Sequence, residues 1–299
     1  MKSTIHQLSN GIVLTLRHLP HLRRAPVIIL CNGLLGGIQS ALLPPFANAF
    51  TRAGFATITF DYLGMGESRS RAGPQTPAGQ VEDILSVIAW VKRGSPKSLD
   101  PERIGLWGHC LGAGHVITAA ANQPGVRCIV SQSPFSDGEA ILAPLLHTAD
   151  ATYREQPSGN LPPQRAIMGD DPRIPLESLL TDRESRYFLD DLSHLHPDAE
   201  HHLPLATLRT LLRYKPIQVA SQVTCPSLVV LAQDDAITPL RQGQALYETL
   251  ASDNKQLCII GEAGHYHLHY GAAFQQVLRA ALQWFRAHLV TMPHSPHPQ

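Results

Sequence analysis

The chain has 299 residues, of which 43% are hydrophobic and 16% are charged, so it carries enough apolar side chains for a sizeable buried core. Basic and acidic residues number 24 each, so the formal net charge is zero. Such a neutral chain has no basic excess for binding nucleic acid or anionic lipid, and we expect neither as a partner. The apolar runs are shorter than the roughly 18 residues that a membrane span needs.

The N-terminal stretch MKSTIHQLSNGIVLTL mixes polar and apolar residues, which is not typical of a secretory signal. The five cysteines are odd in number and lie scattered in apolar segments rather than in a spaced framework. We therefore expect a cytoplasmic protein with reduced thiols.

Segments typical of strands and helices alternate along the first 137 residues. Asn10-Gly11 lies between two short alternating runs and predicts a hairpin. Apolar runs predict buried strands at 27–31, 55–60, 103–107 and 126–131, and helical spacing predicts helices at 44–53, 80–92 and 111–121. This alternation predicts an α/β fold whose mostly parallel sheet is doubly wound, with helices on both faces.

The alternation stops after Pro134 and resumes with strands at 227–232 and 256–260 and helices at 242–250 and 272–289. Prolines, charges and short amphipathic pieces fill the interval. We expect core residues 1–137, a helical lid insertion 138–215, core residues 216–292 and a disordered tail 293–299. The alternative for the insertion is a surface excursion far from the site.

The most specific motif is Gly108-His109-Cys110-Leu111-Gly112, which lies between a predicted strand and a predicted helix. This is the setting of the nucleophile elbow, G-x-S-x-G, with cysteine in place of serine. The glycines suit a turn where chain segments approach closely. We predict Cys110 as the nucleophile, with a small buried hydrophobic residue as the alternative.

A nucleophile of this kind requires a histidine base and an acid that orients it, in the chain order nucleophile, acid, histidine. His265 follows the strand at 256–260, and Asp235 follows the strand at 227–232. We predict these two residues as base and acid. Asp234 and Asp137 remain alternative acids, since each also follows a predicted strand.

Backbone N–H groups are expected to stabilise the oxyanion of an acyl-transfer reaction. We predict the N–H of Leu111, which follows the nucleophile, and that of Leu34 in the glycine-rich turn 32–36. A glycine-rich turn without function is the alternative for the second donor.

Several segments together resemble the α/β-hydrolase superfamily, in particular a dipeptidyl-peptidase-like group that includes fungal polyketide transferases and thiohydrolases. They are FDYLGMGES, DPERIGLWGHCLGAGHV, VRCIVSQSPF, DDAITP, GEAGHYHLHY and ALQWFRAHL. The resemblance covers nearly the whole chain and implies an α/β-hydrolase fold and acyl chemistry.

Two positions depart from that family. Cys110 replaces the usual elbow serine, and Asn32 replaces the usual histidine before the oxyanion glycine. A Cys-His-Asp triad resembles that of dienelactone hydrolases and Dieckmann cyclases. The acid of the cyclases can follow the earlier strand, which favours Asp137 as an alternative acid.

Histidine clusters suggest a metal site as a competing function. His265, His267 and His269 alternate along the chain, and on a strand they would share one face. A second group comprises His194, His196, His201 and His202. Because His265 is assigned to the triad and no known ligand spacing is complete, we expect neither a metal nor a cofactor.

These features predict an acyl-transfer enzyme that forms a thioester on Cys110: a thioesterase, acyltransferase or cyclase. Its substrate would be a small acyl molecule, presented on a carrier protein or coenzyme A. Simple carboxylester or lactone hydrolysis is one alternative. A non-catalytic binding protein on the same fold is another.

Overall fold

The computed structural model describes residues 1–34, 42–68, 75–93, 96–154, 173–195 and 202–290. The expected tail 293–299 lies outside these residues. Eight strands form the main sheet: β1 (Lys2–Gln7), β2 (Val13–His18), β3 (Ala25–Cys31), β4 (Ala56–Phe60), β5 (Leu99–His109), β6 (Cys128–Gln132), β9 (Ser227–Ala232) and β10 (Lys255–Ile260). Two further strands, β7 (Arg173–Pro175) and β8 (His202–Pro204), pair with each other alone.

The strand order in the main sheet is β1-β2-β4-β3-β5-β6-β9-β10. The first two strands form the predicted hairpin, and β2 continues antiparallel to β4. All pairs from β4 to β10 are parallel. Their carboxyl ends therefore meet at one edge of the sheet, where ligands bind in open α/β folds. The predicted mostly parallel α/β sheet is confirmed.

Helices cover both faces of this sheet. They are α1 (Leu43–Arg52), α2 (Pro77–Lys92), α3 (Leu111–Asn122), α8 (Leu240–Thr249) and α9 (Gly271–Leu289). Alternate residues of β3 enter opposite cores: Val27 and Ile29 pack with α2 and α3, whereas Ile28 and Leu30 pack with α1 and α9. A strand buried on both faces explains the continuous apolar run in the sequence. Within the described residues, no helix is both long and apolar enough to cross a membrane.

Four helices lie between β6 and β9: α4 (Gly138–Arg154), α5 (Leu176–Leu179), α6 (Arg183–Leu195) and α7 (Leu205–Arg213). We call this part of the chain the helical insertion. Its apolar side chains form a third cluster with Leu111, Ile237 and Tyr266 of the core. The described insertion therefore packs against the loops that follow the strands.

The two ends of the helical insertion are bonded to each other. Gly138 N–H donates to the carbonyl of Tyr214 at 2.9 Å, and Ile217 N–H donates to that of Ser136 at 3.0 Å. Lys215 Nζ lies 3.3 Å from Asp137 Oδ2. These bonds close the insertion at its base.

A buried polar network ties this base to the core helices. The His115 ring on α3 bonds Tyr214 Oη at 2.9 Å through Nδ1 and Gln80 Oε1 at 2.8 Å through Nε2. Tyr214 Oη also bonds Thr118 Oγ1 at 2.8 Å. Burial lowers the pKa of His115 to about 3, so the ring is neutral at physiological pH.

Acidification should destabilise the fold through His115. Its pKa is near 6.5 in the unfolded chain and about 3 in the folded one. The stabilisation is thus complete above pH 6.5 and is lost as pH falls towards 3, at about 1.4 kcal/mol per pH unit. When the free energy of unfolding is measured with urea between pH 7 and 4, His115→Gln should reduce its pH dependence by about 1.4 kcal/mol per pH unit. The exposed His21→Gln is the control, and an unchanged slope in His115→Gln would contradict the assignment.

Candidate active site

Cys110 lies at the corner between β5 and α3. Its backbone has φ +54° and ψ −119°, a conformation that is strained for a residue other than glycine. Cys110 N–H donates to the Gln132 carbonyl at 3.0 Å, and its own carbonyl accepts from Ala113 and Phe135 N–H. These bonds hold the strained turn.

The flanking glycines are required by close backbone approach. A Cβ at Gly108 would lie 2.3 Å from the carbonyl oxygen of Gly112. A Cβ at Gly112 would lie 2.3 Å from the carbonyl oxygen of Cys31, at the end of β3. The predicted glycine pattern thus has a direct steric cause.

His265 lies between Cys110 and Asp235. Its Nδ1 is 2.8 Å from Asp235 Oδ2 and 3.0 Å from Oδ1. The Cys110 side chain lies beside the same imidazole. Both members of the ion pair are buried, at 2% and 1% side-chain exposure. A buried pair of this kind keeps its geometry because water cannot compete for the hydrogen bonds.

The electrostatics favour a charged imidazole. Burial, the largest influence, would lower the pKa of His265, but the Asp235 carboxylate, its hydrogen bond and the neighbouring Cys110 raise it well above its usual value. Burial would likewise raise the pKa of Asp235, but His265 and the N–H of Thr238 hold it below its usual value. At neutral pH the pair is therefore imidazolium and carboxylate.

Thr238 is a site residue that the sequence did not reveal. Its N–H and that of Ile237 donate to Asp235 Oδ1 at 2.7 and 2.9 Å. Its hydroxyl lies 3.0 Å from Asp235 Oδ2 and 3.1 Å from the Ser133 carbonyl. Thr238 therefore fixes the orientation of the carboxylate.

The two alternative acids lie elsewhere. Asp234 is exposed, and its N–H donates to the Ala263 carbonyl. Asp137 Oδ1 accepts from the N–H groups of Glu139 and Ala140 at 3.0 and 3.1 Å, at the start of α4. Asp235 is the one of the three candidates that bonds His265.

Leu111 and Leu34, the predicted oxyanion donors, both line the pocket that contains Cys110. Leu111 is the first residue of α3, where N–H groups lack partners within the helix. The glycine-rich turn continues beyond Leu34 into residues 35–41, which lie outside the described part. Asn32 is buried, and its Nδ2 donates to the Phe60 carbonyl at 3.0 Å, so it ties β3 to the end of β4.

Two neutral histidines lie behind the charged one. The ring of His109 is 4.7 Å from that of His265 and 4.2 Å from that of His269. Burial, together with the neighbouring imidazoles of His269 and His265, holds the pKa of His109 well below its usual value, and burial lowers that of His269 to about 3. Two uncharged rings thus pack beside the imidazolium without repelling it.

The alternating histidines are not on a strand, so they do not share the face that the metal alternative required. His267–His269 form a 3-10 turn, and the three side chains have different partners. His265 bonds Asp235, His269 packs on His109, and His267 lies 3.4 Å from Glu184. In the described part of the chain, no group of three or more His, Cys, Asp or Glu residues is arranged for a metal. His196 and His201 lie outside it.

The pocket above Cys110 is apolar. The described lining combines core residues such as Leu34, Leu111 and Phe135 with leucines of the helical insertion. The cavity is narrow, with a volume of about 40 Å³. A molecule whose carbonyl group lies at Cys110 would therefore have its attached chain in a hydrophobic pocket.

Glu184 of α6 joins the helical insertion to the loop that carries His265. Its Oε1 accepts from the N–H groups of Tyr266 and His267 at 2.7 and 2.8 Å. Beside it, the rings of Phe188 and Tyr266 stack with centroids 4.0 Å apart. No motif around Glu184 indicated this contact, because the partners are distant in sequence and are backbone groups.

Comparison with known proteins assigns the family. A family model described as the alpha/beta hydrolase fold matches residues 26–272. The chain belongs to this family, as its sheet order and elbow also indicate, and the predicted fold is confirmed.

Three relatives illustrate the range of similarity. The chain is 42% identical to an uncharacterized 31.7 kDa protein of the traX-finO intergenic region of Escherichia coli, over 97% of this chain and 100% of that protein. It is 22% identical to the thiohydrolase AneE of Aspergillus aculeatus, over 87% and 84% of the two chains. The crystal structure of the α/β-hydrolase GrgF of Penicillium superposes with a TM-score of 0.75 at 19% identity, over 97% and 99%. The predicted resemblance to the fungal group is thus confirmed.

Glu184→Ala should destabilise the protein, because it leaves the N–H groups of Tyr266 and His267 without their acceptor. We expect the free energy of unfolding to fall by about 1–3 kcal/mol and amide exchange at both positions to accelerate. Glu177→Ala, at an exposed glutamate on α5, is the matched control and should change stability by less than about 0.5 kcal/mol. Equal effects in the two variants would contradict the contact.

Proposed function

We propose that this α/β-hydrolase is an acyl-transfer enzyme in which Cys110, His265 and Asp235 form a catalytic triad. The observation that carries the proposal is the buried bond between His265 and Asp235 beside Cys110, which lines an apolar pocket. A nucleophile, a base and an acid that orients the base are the minimum set for this chemistry.

The acylation step follows from the charges. Cys110 attacks the substrate carbonyl as a thiolate paired with the His265 imidazolium, and the carbonyl oxygen takes the electron pair. The N–H groups of Leu34 and Leu111 are the proposed donors to this oxyanion. When the tetrahedral intermediate collapses, His265 gives its proton to the leaving thiolate or alkoxide, and the acyl group remains on Cys110 as a thioester.

In the second step an acceptor replaces Cys110. Neutral His265 removes a proton from water or another nucleophile, which attacks the thioester and releases the Cys110 thiolate. A thioester keeps its acyl group activated, so acceptors other than water are chemically accessible. The similarity to a named thiohydrolase supports a thioester substrate, on a carrier protein or coenzyme A. The free cysteines fit a reducing cytoplasm.

Turnover of acyl thioesters by matched aspartate variants tests this proposal. Asp235→Asn should lower kcat/KM about a hundredfold or more, because it removes the charge that orients and stabilises the imidazolium. Asp234→Asn, at the exposed neighbour, and Asp137→Asn, at the cap of α4, should stay within about twofold of the parent. A large loss in either of these two variants would reassign the acid.

Turnover of acyl thioesters by the parent and by Cys110→Ala distinguishes an enzyme that uses Cys110 from a non-catalytic binding protein. We expect no acyl adduct by intact-protein mass spectrometry and no thiol release above background. Product analysis of the parent then distinguishes the reactions: free acid indicates hydrolysis, and a cyclised or transferred product indicates the other branch. Undiminished turnover by Cys110→Ala would exclude Cys110 as the nucleophile.

A further inference from the structure

We propose that the acyl group held above Cys110 is an alkyl chain without oxygen substituents. This inference rests on the proposed function, because it takes Cys110 as the atom that receives the acyl group. It names the substrate class that the pocket selects, which the triad alone does not define.

The chemistry of the pocket wall carries the inference. Among the described lining residues, Cys110 contributes the one side chain that is not a hydrocarbon. The core supplies Leu34, Leu111, Phe135 and Ile237, and the helical insertion supplies leucines and an isoleucine from α4, α5 and α7. Among the described residues, hydrocarbon walls on both sides give an acyl chain hydrocarbon contacts alone.

The cost of burying polar groups discriminates between alkyl chains and chains that carry a hydroxyl or ketone. A hydroxyl or ketone on the chain would lose its hydrogen bonds to water, and the described wall offers no side-chain donor or acceptor to replace them. An apolar pocket rejects an added hydroxyl by up to about a hundredfold. An alkyl chain has no such penalty, and each methylene that leaves water favours binding about fourfold, or about 0.8 kcal/mol.

The wall is also well supported. Leu176, Leu179 and Leu211 are at most 3% exposed, so the leucines are packed from behind by the rest of the insertion. Glu184 anchors the same insertion to the His265 loop. The apolar surface therefore faces Cys110 in the same structure that aligns the triad.

The test uses the intact protein and a series of acetyl, butyryl, hexanoyl and octanoyl thioesters of one thiol, with 8-hydroxyoctanoyl as the polar match of octanoyl. We measure the rate of acyl-Cys110 formation by rapid-quench mass spectrometry. We expect the rate at low substrate to rise about fourfold per methylene until the pocket is full. We also expect octanoyl to exceed its hydroxylated match about tenfold or more.

A matched pair of variants locates the selectivity. Leu142 and Leu189 are both 7% exposed and both lie in the helical insertion, but only Leu142 is among the described pocket residues. Leu142→Trp should reduce the octanoyl-to-acetyl ratio about tenfold, whereas Leu189→Trp should leave it unchanged. The ratio is taken within one variant, so a partly unfolded preparation does not alter it.

The outcomes separate the two proposals. A rate that does not depend on chain length, or a hydroxylated chain that reacts as fast as the alkyl chain, would overturn this inference while Cys110 acylation stands. Equal ratios in Leu142→Trp and Leu189→Trp would also overturn it. Absence of acyl-Cys110 with every thioester would refute the proposed function and this inference with it.

Discussion

The fold and the candidate site both depend on one tight crossing of backbone, where β5 turns into α3 at Cys110. Gly108 and Gly112 approach the neighbouring backbone so closely that a Cβ at either would overlap a carbonyl oxygen. The crossing forces Cys110 into a strained conformation, which its backbone hydrogen bonds retain. As a result Cys110, the proposed nucleophile, lies at a helix N-terminus, where developing negative charge is favoured.

A buried ion pair and two neutral histidines lie near this crossing. Asp235 and His265 hold opposite charges in a buried pair, while His109 and His269 are kept neutral by burial and by the charge beside them. Removing one partner of such a pair would leave an uncompensated buried charge. The helical insertion completes the arrangement, because Glu184 bonds the loop that carries His265 and leucines of the insertion line the pocket above Cys110.

The sequence predicted those features that have local signatures. Continuous apolar runs indicated the parallel strands, and the glycine spacing around Cys110 indicated the elbow, because each follows from the geometry of one segment. Residues that act through distant partners were not predictable. The role of Thr238 depends on whether Asp234 or Asp235 is the buried acid, because its hydroxyl bonds Asp235. Glu184 bonds backbone groups about 80 residues away in the chain. The histidine run left a metal site open as an alternative, because alternation alone does not distinguish a strand from a tight turn.

The proposed triad requires that His265 activates Cys110, and alkylation by iodoacetamide against pH tests this most directly. Cys225 and Cys258 are more exposed than Cys110, but burial raises the pKa of Cys225 to about 11 and also raises that of Cys258. We expect Cys110 to be alkylated faster than Cys225 and Cys258 at pH 6 to 7, with the rates measured by peptide mass spectrometry. His265→Gln should remove this difference in rate. Alkylation of Cys110 no faster than that of Cys225 and Cys258, or a rate unaffected by His265→Gln, would contradict the proposed triad.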